Sequence, residues 1–354
     1  MHIKALLTFL SAANSISALP PLAPRAEDAR DVNPFLGKNY FANSYYAGEL
    51  NQTVSAFLAK NDSLNAARTR TVQNTGTFVW ITSVAGLSNI KTTIDAARTE
   101  QQRTRKQQIV QLVLYDLPDR DCSGGQSGGE FSSVNDGLNL YKKTFVDPYA
   151  AALKAAWDLT SPSSWSQIVW ETSSRTRTYL SAQTPPQPAA EFAKVVSLAQ
   201  NLTMGGAQIR GFSTDVSNFN PYIADPRANY TEYSNAYDEL HYAEVLAPHL
   251  ANNSLPAHFI IDQGRSGLQN TRATWGEWCN VEAGFGTPPT TDTNSTVVDS
   301  IVWAKPGGES DGACGPTIDG VGAPNAGLWW EAYVEELVKN ADPPITPTYA
   351  TLRK

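Results

Sequence analysis

The sequence has few of the residues from which metal sites and disulfide scaffolds are built. Its 354 residues include only three cysteines and four histidines. No cysteine stands in zinc-site spacing with a histidine or another cysteine, so we predict no structural metal and no cofactor. An oxidising compartment favours disulfide pairing, but three cysteines cannot all pair within one chain. One of Cys122, Cys279 and Cys314 is therefore left over.

Charged residues and long apolar runs are also scarce. Charged side chains make up 17% of the chain and the net charge is −7, whereas 41% of the residues are hydrophobic. The low charge argues against a disordered chain, and the negative balance disfavours nucleic acid and anionic lipid as partners. No run of 18 or more apolar residues occurs, so no membrane-spanning helix is predicted. Nine Trp and fourteen Tyr suit stacking on neutral ligands, although core packing explains most such rings.

The amino terminus has the pattern of a secretory signal. Lys4 precedes a short apolar run over residues 5–10, and small residues follow up to Ala18. The pattern predicts a signal peptide over residues 1–18, a leader over 19–32 and a single domain over 33–354. We therefore expect a secreted, extracellular glycoprotein. Export also agrees with six N-glycosylation sequons, which lie at Asn51, Asn61, Asn201, Asn229, Asn252 and Asn294.

Short apolar segments alternate with helix-like segments along the rest of the chain. Strands are predicted over residues 77–81, 109–115, 168–170, 209–214, 258–262 and 299–303, and helices over 87–106, 141–157, 191–202, 229–251 and 328–340. Apolar strands that alternate with helices indicate an α/β fold with a parallel sheet or barrel. In such barrels chemistry lies at the strand ends. The polar residues found there are Asp116, Asp121, Asp215, Asn218, Asp262, Lys305, Glu309 and Asp311.

Two polar clusters after these strands point to chemistry on a carbohydrate. The strand over 109–115 is followed by Asp116, Asp119, Arg120 and Asp121, and a glycine-rich loop follows over 123–130. The loop lacks the Gly-Lys-Ser/Thr ending of a phosphate-binding loop, so a nucleotide site is disfavoured. Paired carboxylates at a barrel mouth are instead typical of glycosidases. A second cluster over 305–312 adds a lysine, two carboxylates and glycines that let a ligand approach the backbone.

These segments resemble the fungal glycoside hydrolase family 6 enzymes, that is, the cellobiohydrolase II type and its endoglucanase relatives. The resemblance is carried by Tyr-Asp-Leu-Pro-Asp-Arg-Asp-Cys at 115–122, Asp-Gln-Gly-Arg-Ser-Gly at 262–267, Trp-Gly-Glu-Trp-Cys-Asn at 275–280 and Trp-Ala-Lys-Pro-Gly-Gly-Glu-Ser-Asp-Gly at 303–312. Weaker matches lie at 33–35, 42–46 and 215–220. The resemblance implies a distorted parallel β/α barrel, a cleft for β-1,4-glucan and inverting hydrolysis. We expect a monomer without a separate carbohydrate-binding module.

The resemblance also implies roles for individual residues. Asp121 would raise the pKa of the general acid and stabilise the oxocarbenium-like charge, and Tyr115 would lie under the distorted sugar. Asp311 would be the base or the carboxylate of a water chain. Substrate contacts are implied for Phe41, Ser127, Asn218, Trp278, Lys305 and Glu309. For Lys305 and Glu309 the alternative is a surface ion pair.

The sequence departs from the family where the family carries its general acid. The family's Glu-Pro-Asp-Ser motif corresponds to residues 171–174, so the acid position holds Ser173, whose hydroxyl cannot serve as an acid at ordinary pH. Glu171 is a candidate substitute. About one β/α unit that follows in the family is also absent, together with the cysteine that would pair with Cys122. Cys279 and Cys314 are then the disulfide that the resemblance implies.

Two explanations of this gap stay open. Either the coding sequence as read has lost an exon, or the chain is a diverged relative without the acid. Loss of acid catalysis removes a factor of roughly 10²–10⁴ in rate. Only Gly312 and Ala313 separate Asp311 from Cys314, so the site should be more open than an exo-acting tunnel. We therefore expect a secreted β-1,4-glucanase, weak or inactive as written, with a catalytically dead glucan-binding relative as the alternative.

Overall fold

The computed structural model describes residues 32–121, 124–155, 167–169, 210–274 and 276–349. The predicted signal peptide, nearly all of the leader, Glu171, Ser173 and the helix predicted over 191–202 lie outside these ranges. The chain from Pro34 onward packs as one unit. None of the described helices is long and apolar enough to cross a membrane.

The described strands form three parallel ladders. Strand β1 (Asn39–Tyr40) pairs with β3 (Gln108–Ile109). Strands β2 (Val79–Ile81), β4 (Gln111–Leu114) and β5 (Gln167–Val169) form a second ladder in the order β2-β4-β5. Strands β6 (Gly211–Thr214), β7 (His258–Asp262) and β8 (Val298–Val302) form the third. Each of the six predicted strands has a counterpart, but the one over 109–115 is divided at Val110 between β3 and β4. The parallel pairing of the strands confirms the α/β prediction.

Helices lie between the strands and after the last of them. Those in the described ranges are α1 (Ser44–Ala59), α2 (Ser63–Gln73), α3 (Ser88–Thr104), α4 (Gly137–Tyr141), α5 (Asp147–Ala155), α6 (Glu239–Asn252) and α7 (Glu331–Lys339). A π-helical turn over Lys142–Val146 joins α4 to α5. Short 3₁₀ turns occupy Ala85–Leu87 and Asn229–Thr231.

The two three-stranded ladders share one apolar interior. Val113 of β4, Ile260 of β7 and Val302 of β8 are buried in the same cluster, and Phe78 next to β2 joins them. The Phe78 N–H donates to the carbonyl of Trp303 at 3.2 Å, which ties β2 to the end of β8. Side chains from both ladders thus fill one interior, as in a β/α barrel. Within the described residues the strand hydrogen bonding does not close into a continuous ring.

Two helices before residue 87 were missing from the sequence prediction. Helix α1 begins after Asn43, whose side chain accepts the Tyr45 N–H at 3.0 Å, and α2 begins after Asp62, which accepts the Asn65 N–H at 3.0 Å. These caps satisfy backbone donors that a helix start leaves unpaired. Helix α2 buries mainly small or polar side chains, so its apolar periodicity is too weak to reveal it.

The helix predicted over 229–251 was wrong in its first part. Residues 229–231 form only a 3₁₀ turn, and α6 begins at Glu239. The Asp238 carboxylate sets this start because it accepts the N–H of His241 at 2.8 Å. The chain between the turn and Asp238 is not helical.

The pair Phe285 and Trp303 offers a test of the core. Their rings stack with centroids 4.9 Å apart, and both are at most 1% exposed. Phe285→Ala should lower the free energy of unfolding by about 3–5 kcal/mol, because it leaves a cavity beside the indole. Tyr233→Ala, which removes a ring that is 90% exposed, should change it by no more than about 0.5 kcal/mol. Denaturant unfolding measures both, and equal losses would contradict this picture of the core.

Candidate active site

The buried carboxylate of Asp262 ties together the carboxyl ends of three parallel strands. It ends β7, and its Oδ1 accepts the backbone N–H groups of Gly264 and Ala304 at 2.9 and 3.0 Å. Its Oδ2 accepts those of Lys305 at 2.9 Å and Ser217 at 3.3 Å. Burial raises the pKa of Asp262, while these N–H groups oppose that rise by favouring the charged form. One side chain therefore positions the loops after β6, β7 and β8.

Three predicted site residues form one hydrogen-bonded group after β4. Asp121 Oδ2 accepts the backbone N–H groups of Gln126 and Ser127, each at 2.6 Å, and lies 3.2 Å from Ser127 Oγ. Ser127 Oγ in turn lies 3.1 Å from the Tyr115 hydroxyl. Asp121 has a positive φ of 55°, which turns the chain back toward its own carboxylate. Asp121, Ser127 and Tyr115 are thus brought together as one unit.

Arg120 holds this group in place, although it was not among the predicted site residues. Its guanidinium lies 4.6 Å from the centre of the Tyr115 ring and donates to the carbonyls of Tyr115, Thr82 and Ser127. The fully buried Asp116 lies 3.2 Å from it. Burial raises the pKa of Asp116, and the adjacent Arg120 acts against that rise. Asp116 and Arg120 are four residues apart in a segment that is not helical, so helical spacing gave no signal for this pair.

Asp311 is held by a buried arginine. Arg265 Nη1 lies 2.9 Å from Asp311 Oδ1 and 2.8 Å from Oδ2, and the Asn280 N–H donates to Oδ2 at 2.9 Å. Arg265 also donates to the Ser217 carbonyl at 2.8 Å and lies over the Phe219 ring at 4.3 Å. Both partners are nearly inaccessible, with side chains 1% and 6% exposed. Arg265 lies in the motif over 262–267, but the motif alone indicates no role for it.

The loops that carry Asp121 and Asp311 touch each other. A Cβ atom placed on Gly312 would lie only 2.6–2.8 Å from atoms of the Gln126 side chain. A Cβ atom on Gly124 would lie 3.4 Å from the edge of the Trp278 indole. Glycine at position 312 thus allows the Asp311 loop to approach the Asp121 loop closely, and Gly124 lies within van der Waals reach of Trp278. The structure therefore gathers Asp121, Asp311 and Trp278 in one region.

Lys305 and Glu309 form an ion pair, but it is not a surface pair. Lys305 Nζ lies 3.7 Å from Glu309 Oε2, and the two side chains are 10% and 19% exposed. The ammonium also lies 5.6 Å from the centre of the Trp80 ring. Trp80 packs edge-on against Tyr115 at 5.0 Å and donates its indole N–H to the Ala304 carbonyl at 2.7 Å. Trp80 thus connects the pair to the Tyr115 group, although it was not among the predicted site residues.

The two rings predicted to stack on sugar differ in exposure. Trp278 is 42% exposed and can offer a ring face to a ligand. Phe41 is only 7% exposed, and its backbone N–H is bound to the Ile109 carbonyl at 3.0 Å next to the β1–β3 pair. The stacking role implied for Phe41 stays a prediction, and the ring is largely buried in the packed interior.

The other predicted residues are Asn218, the three cysteines and the acid position. Asn218 is half-buried, and its Oδ1 accepts hydrogen bonds from Arg272 at 2.9 Å and from the Phe219 N–H at 3.0 Å. The implied disulfide between Cys279 and Cys314 is present, with Cα atoms 6.0 Å apart. Cys122 and the acid position lie outside the described residues. Across the described ranges, no group of three or more His, Cys, Asp or Glu side chains is arranged to hold a metal ion.

The pH dependence of stability offers a test of the Glu309 environment. Burial raises the pKa of Glu309 above its ordinary 4.5, and Lys305 offsets part of the rise. The folded protein therefore binds the carboxyl proton of Glu309 more tightly than the unfolded chain does. The contribution of Glu309 to the free energy of unfolding should then fall as the pH rises from 4.5 through the raised pKa of the folded state. The difference in unfolding free energy between wild type and Glu309→Gln should therefore decrease with rising pH.

Denaturant unfolding at several pH values measures that difference. Glu232→Gln removes one exposed carboxyl group and is the matched control for the loss of a negative charge. A difference that increases with pH for Glu309→Gln would contradict the assigned environment.

Comparison with known proteins agrees with this geometry. The family model described as "Glycosyl hydrolases family 6" matches residues 35–162 and 175–341. The 1,4-beta-D-glucan cellobiohydrolase CEL6B of Podospora anserina is 42% identical over 386 residues, which covers 98% of this chain and 91% of that protein. Endoglucanase-6B of Humicola insolens is 41% identical over 347 residues, covering 87% of this chain and 97% of that protein.

A solved structure shows the same fold. CcCel6C, a glycoside hydrolase family 6 enzyme from Coprinopsis cinerea, superposes with a TM-score of 0.78 at 38% identity, covering 90% of this chain and all of that one. The resemblance stated from the motifs is therefore confirmed, and so is the fold class. This chain is a member of glycosyl hydrolase family 6.

Proposed function

We propose that this protein is a secreted β-1,4-glucanase that degrades cellulose by the inverting route. The proposal is carried by the Asp121–Ser127–Tyr115 group, which contacts the loop of the Arg265-bound Asp311 through Gln126 and Gly312. Two carboxylates on touching loops at the carboxyl ends of parallel strands are what glycosidic hydrolysis in a barrel requires.

The two carboxylates are suited to different tasks. Asp121 uses only Oδ2 for hydrogen bonds within the described residues, which leaves Oδ1 for the developing positive charge of the sugar or for raising the pKa of an acid. Both oxygens of Asp311 bind Arg265, so this carboxylate is held in one orientation beside the site. Such an orientation fits a group that positions or deprotonates the attacking water.

The remaining contacts suit a neutral polysaccharide. Trp278 offers a ring for stacking, and the Lys305–Glu309 pair and Asn218 offer donors and acceptors for hydroxyl groups. Cellobiohydrolase II from Humicola insolens, which is 30% identical with a TM-score of 0.77, has been solved with glucose and cellotetraose. We extend this substrate class, β-1,4-linked glucose, to the present chain.

The general acid decides how active the chain is as written. The alignment with the Podospora relative extends over 386 residues although this chain has 354, and the family model leaves residues 163–174 unmatched. The alignment length supports a segment that this chain lacks, and the unmatched residues support a break in the family match next to the acid position. We propose weak or no hydrolysis of unactivated glucan, and a glucan-binding protein without activity as the second candidate.

We further propose that the protein cleaves glucan chains internally and acts outside the cell. Only two residues separate Asp311 from Cys314, which supports an open cleft and endo action. The signal pattern over residues 1–18 and the six sequons support export as a glycoprotein. Sequencing the transcript across codons 160–190 decides whether a longer message restores the acid segment.

A substrate with an activated leaving group isolates the missing acid step. Dinitrophenolate leaves without protonation, whereas the hydroxyl of a glucan must be protonated as it departs. The chain should therefore hydrolyse 2,4-dinitrophenyl β-cellobioside, with inversion to the α-product, yet be slower than an acid-bearing relative on cellotetraose by a factor of roughly 10²–10⁴. Product release and proton NMR measure the rate and the anomer.

Two variants control this experiment. Asp121→Asn should abolish hydrolysis of the activated substrate, because it removes the charge beside the reacting carbon. Glu171→Gln should leave it unchanged but should abolish residual cellotetraose turnover if Glu171 replaces the acid. Failure of wild type to hydrolyse either substrate, with retained binding, would favour the inactive glucan-binding protein.

Binding can be tested independently of turnover. Trp278→Ala should weaken the affinity for cellohexaose by about tenfold, since an exposed aromatic platform typically contributes more than 1 kcal/mol. Trp278→Phe keeps a ring at the same place and should lose less. Isothermal titration calorimetry measures both dissociation constants, and unchanged affinity in Trp278→Ala would remove this ring from the substrate site.

A further inference from the structure

The amide of Asn218 can adopt only one of its two orientations. Its Oδ1 accepts the N–H of Phe219 at 3.0 Å and an N–H of Arg272 at 2.9 Å. Both neighbours are donors, so exchanging the amide oxygen and nitrogen would set donor against donor. Within the described residues Nδ2 makes no hydrogen bond, and it is the part of the amide left for a ligand.

Arg272 is itself fixed by a chain of buried polar groups. It is 8% exposed, and its Nη2 donates to Asn220 Oδ1. Asn220 Nδ2 donates to Glu239 Oε1 at 2.7 Å, and Glu239 is fully buried. A guanidinium can only donate and a carboxylate can only accept, so the Asn220 amide between them cannot reverse. The direction of each hydrogen bond is therefore fixed from Glu239 through Asn220 and Arg272 to Asn218.

The backbone around this chain is anchored as well. The N–H groups of Asn218 and Asn220 donate to the carbonyl and the carboxylate of Asp215, at 2.8 and 3.2 Å. Glu239 is the first residue of α6, and its N–H donates to the Pro221 carbonyl at 3.2 Å. The network is thus anchored at the first residue of a helix.

We infer that Arg272, Asn220 and Glu239 position Asn218 so that it presents an N–H donor, not a carbonyl, to the glucan. The group recognised is then a sugar oxygen acting as an acceptor. Arg272, Asn220 and Glu239 are positioning residues in this scheme, because they act only through Asn218. The inference rests on the proposed glucan site and adds to it the polarity of one contact.

A double-mutant cycle tests the positioning role. Arg272→Met removes the donors that orient Asn218, and Asn218→Ala removes the oriented group. Each should raise the dissociation constant for cellotetraose, and Asn218→Ala should raise it by about tenfold. In the Asn218→Ala background, Arg272→Met should have no further effect, because its target is gone. Calorimetric binding is the readout, so the test works for an inactive chain.

Two further variants sharpen the test. Asn218→Asp keeps the size and the bond to Arg272 but lacks the N–H donor, and should bind about as weakly as Asn218→Ala. Arg272→Lys retains a cation and should recover part of the affinity lost in Arg272→Met; it also replaces that variant in the cycle if Arg272→Met fails to fold. Additive effects of Arg272 and Asn218, or full affinity in Asn218→Asp, would overturn the inference. Absence of glucan binding by wild type would instead overturn the proposed function.

Discussion

The geometry of the site depends on one buried carboxylate that is bound by backbone N–H groups. Asp262 accepts hydrogen bonds from the loops after β6, β7 and β8, so the positions of Ser217, Arg265 and Lys305 are set by a common reference. Taking a carboxylate out of water costs several kcal/mol unless such donors replace the water. The same donors that make its burial possible therefore fix the strand ends relative to one another.

Three arginines hold further site residues in place near the strand ends. Arg120 lies against Asp116, Arg265 binds Asp311, and Arg272 is linked through an asparagine to Glu239. The guanidinium group suits this task because its donors lie in one rigid plane. Removing one partner of a buried pair typically costs about 3–5 kcal/mol, since the other charge is left without compensation. Each arginine contacts a residue predicted to act on substrate, so stability and site geometry are coupled.

Much of the site was predictable because its residues lie in continuous motifs. Tyr115, Asp121 and Ser127 come from one strand end and its loop, and local hydrogen bonds suffice to join them. The disulfide partner of Cys279 followed from the resemblance. The arginine roles were not predictable, since Arg265 and Asp311 are 46 residues apart and only the fold brings them together. Helix α2 was missed because it buries small side chains that carry no periodic signal.

By itself, the sequence determined the family, the parallel α/β class and the strand-end positions of the site residues, because these depend on local pattern and contiguous motifs. Tertiary structure alone decided which rings face solvent: Trp278 is exposed whereas Phe41 is buried, although the resemblance implied a substrate contact for both. It also decided that Lys305 and Glu309 pair below the surface and that Asn218 has a fixed amide orientation. The physical reason is that burial and hydrogen-bond direction depend on neighbours distant in the chain, which no local pattern records.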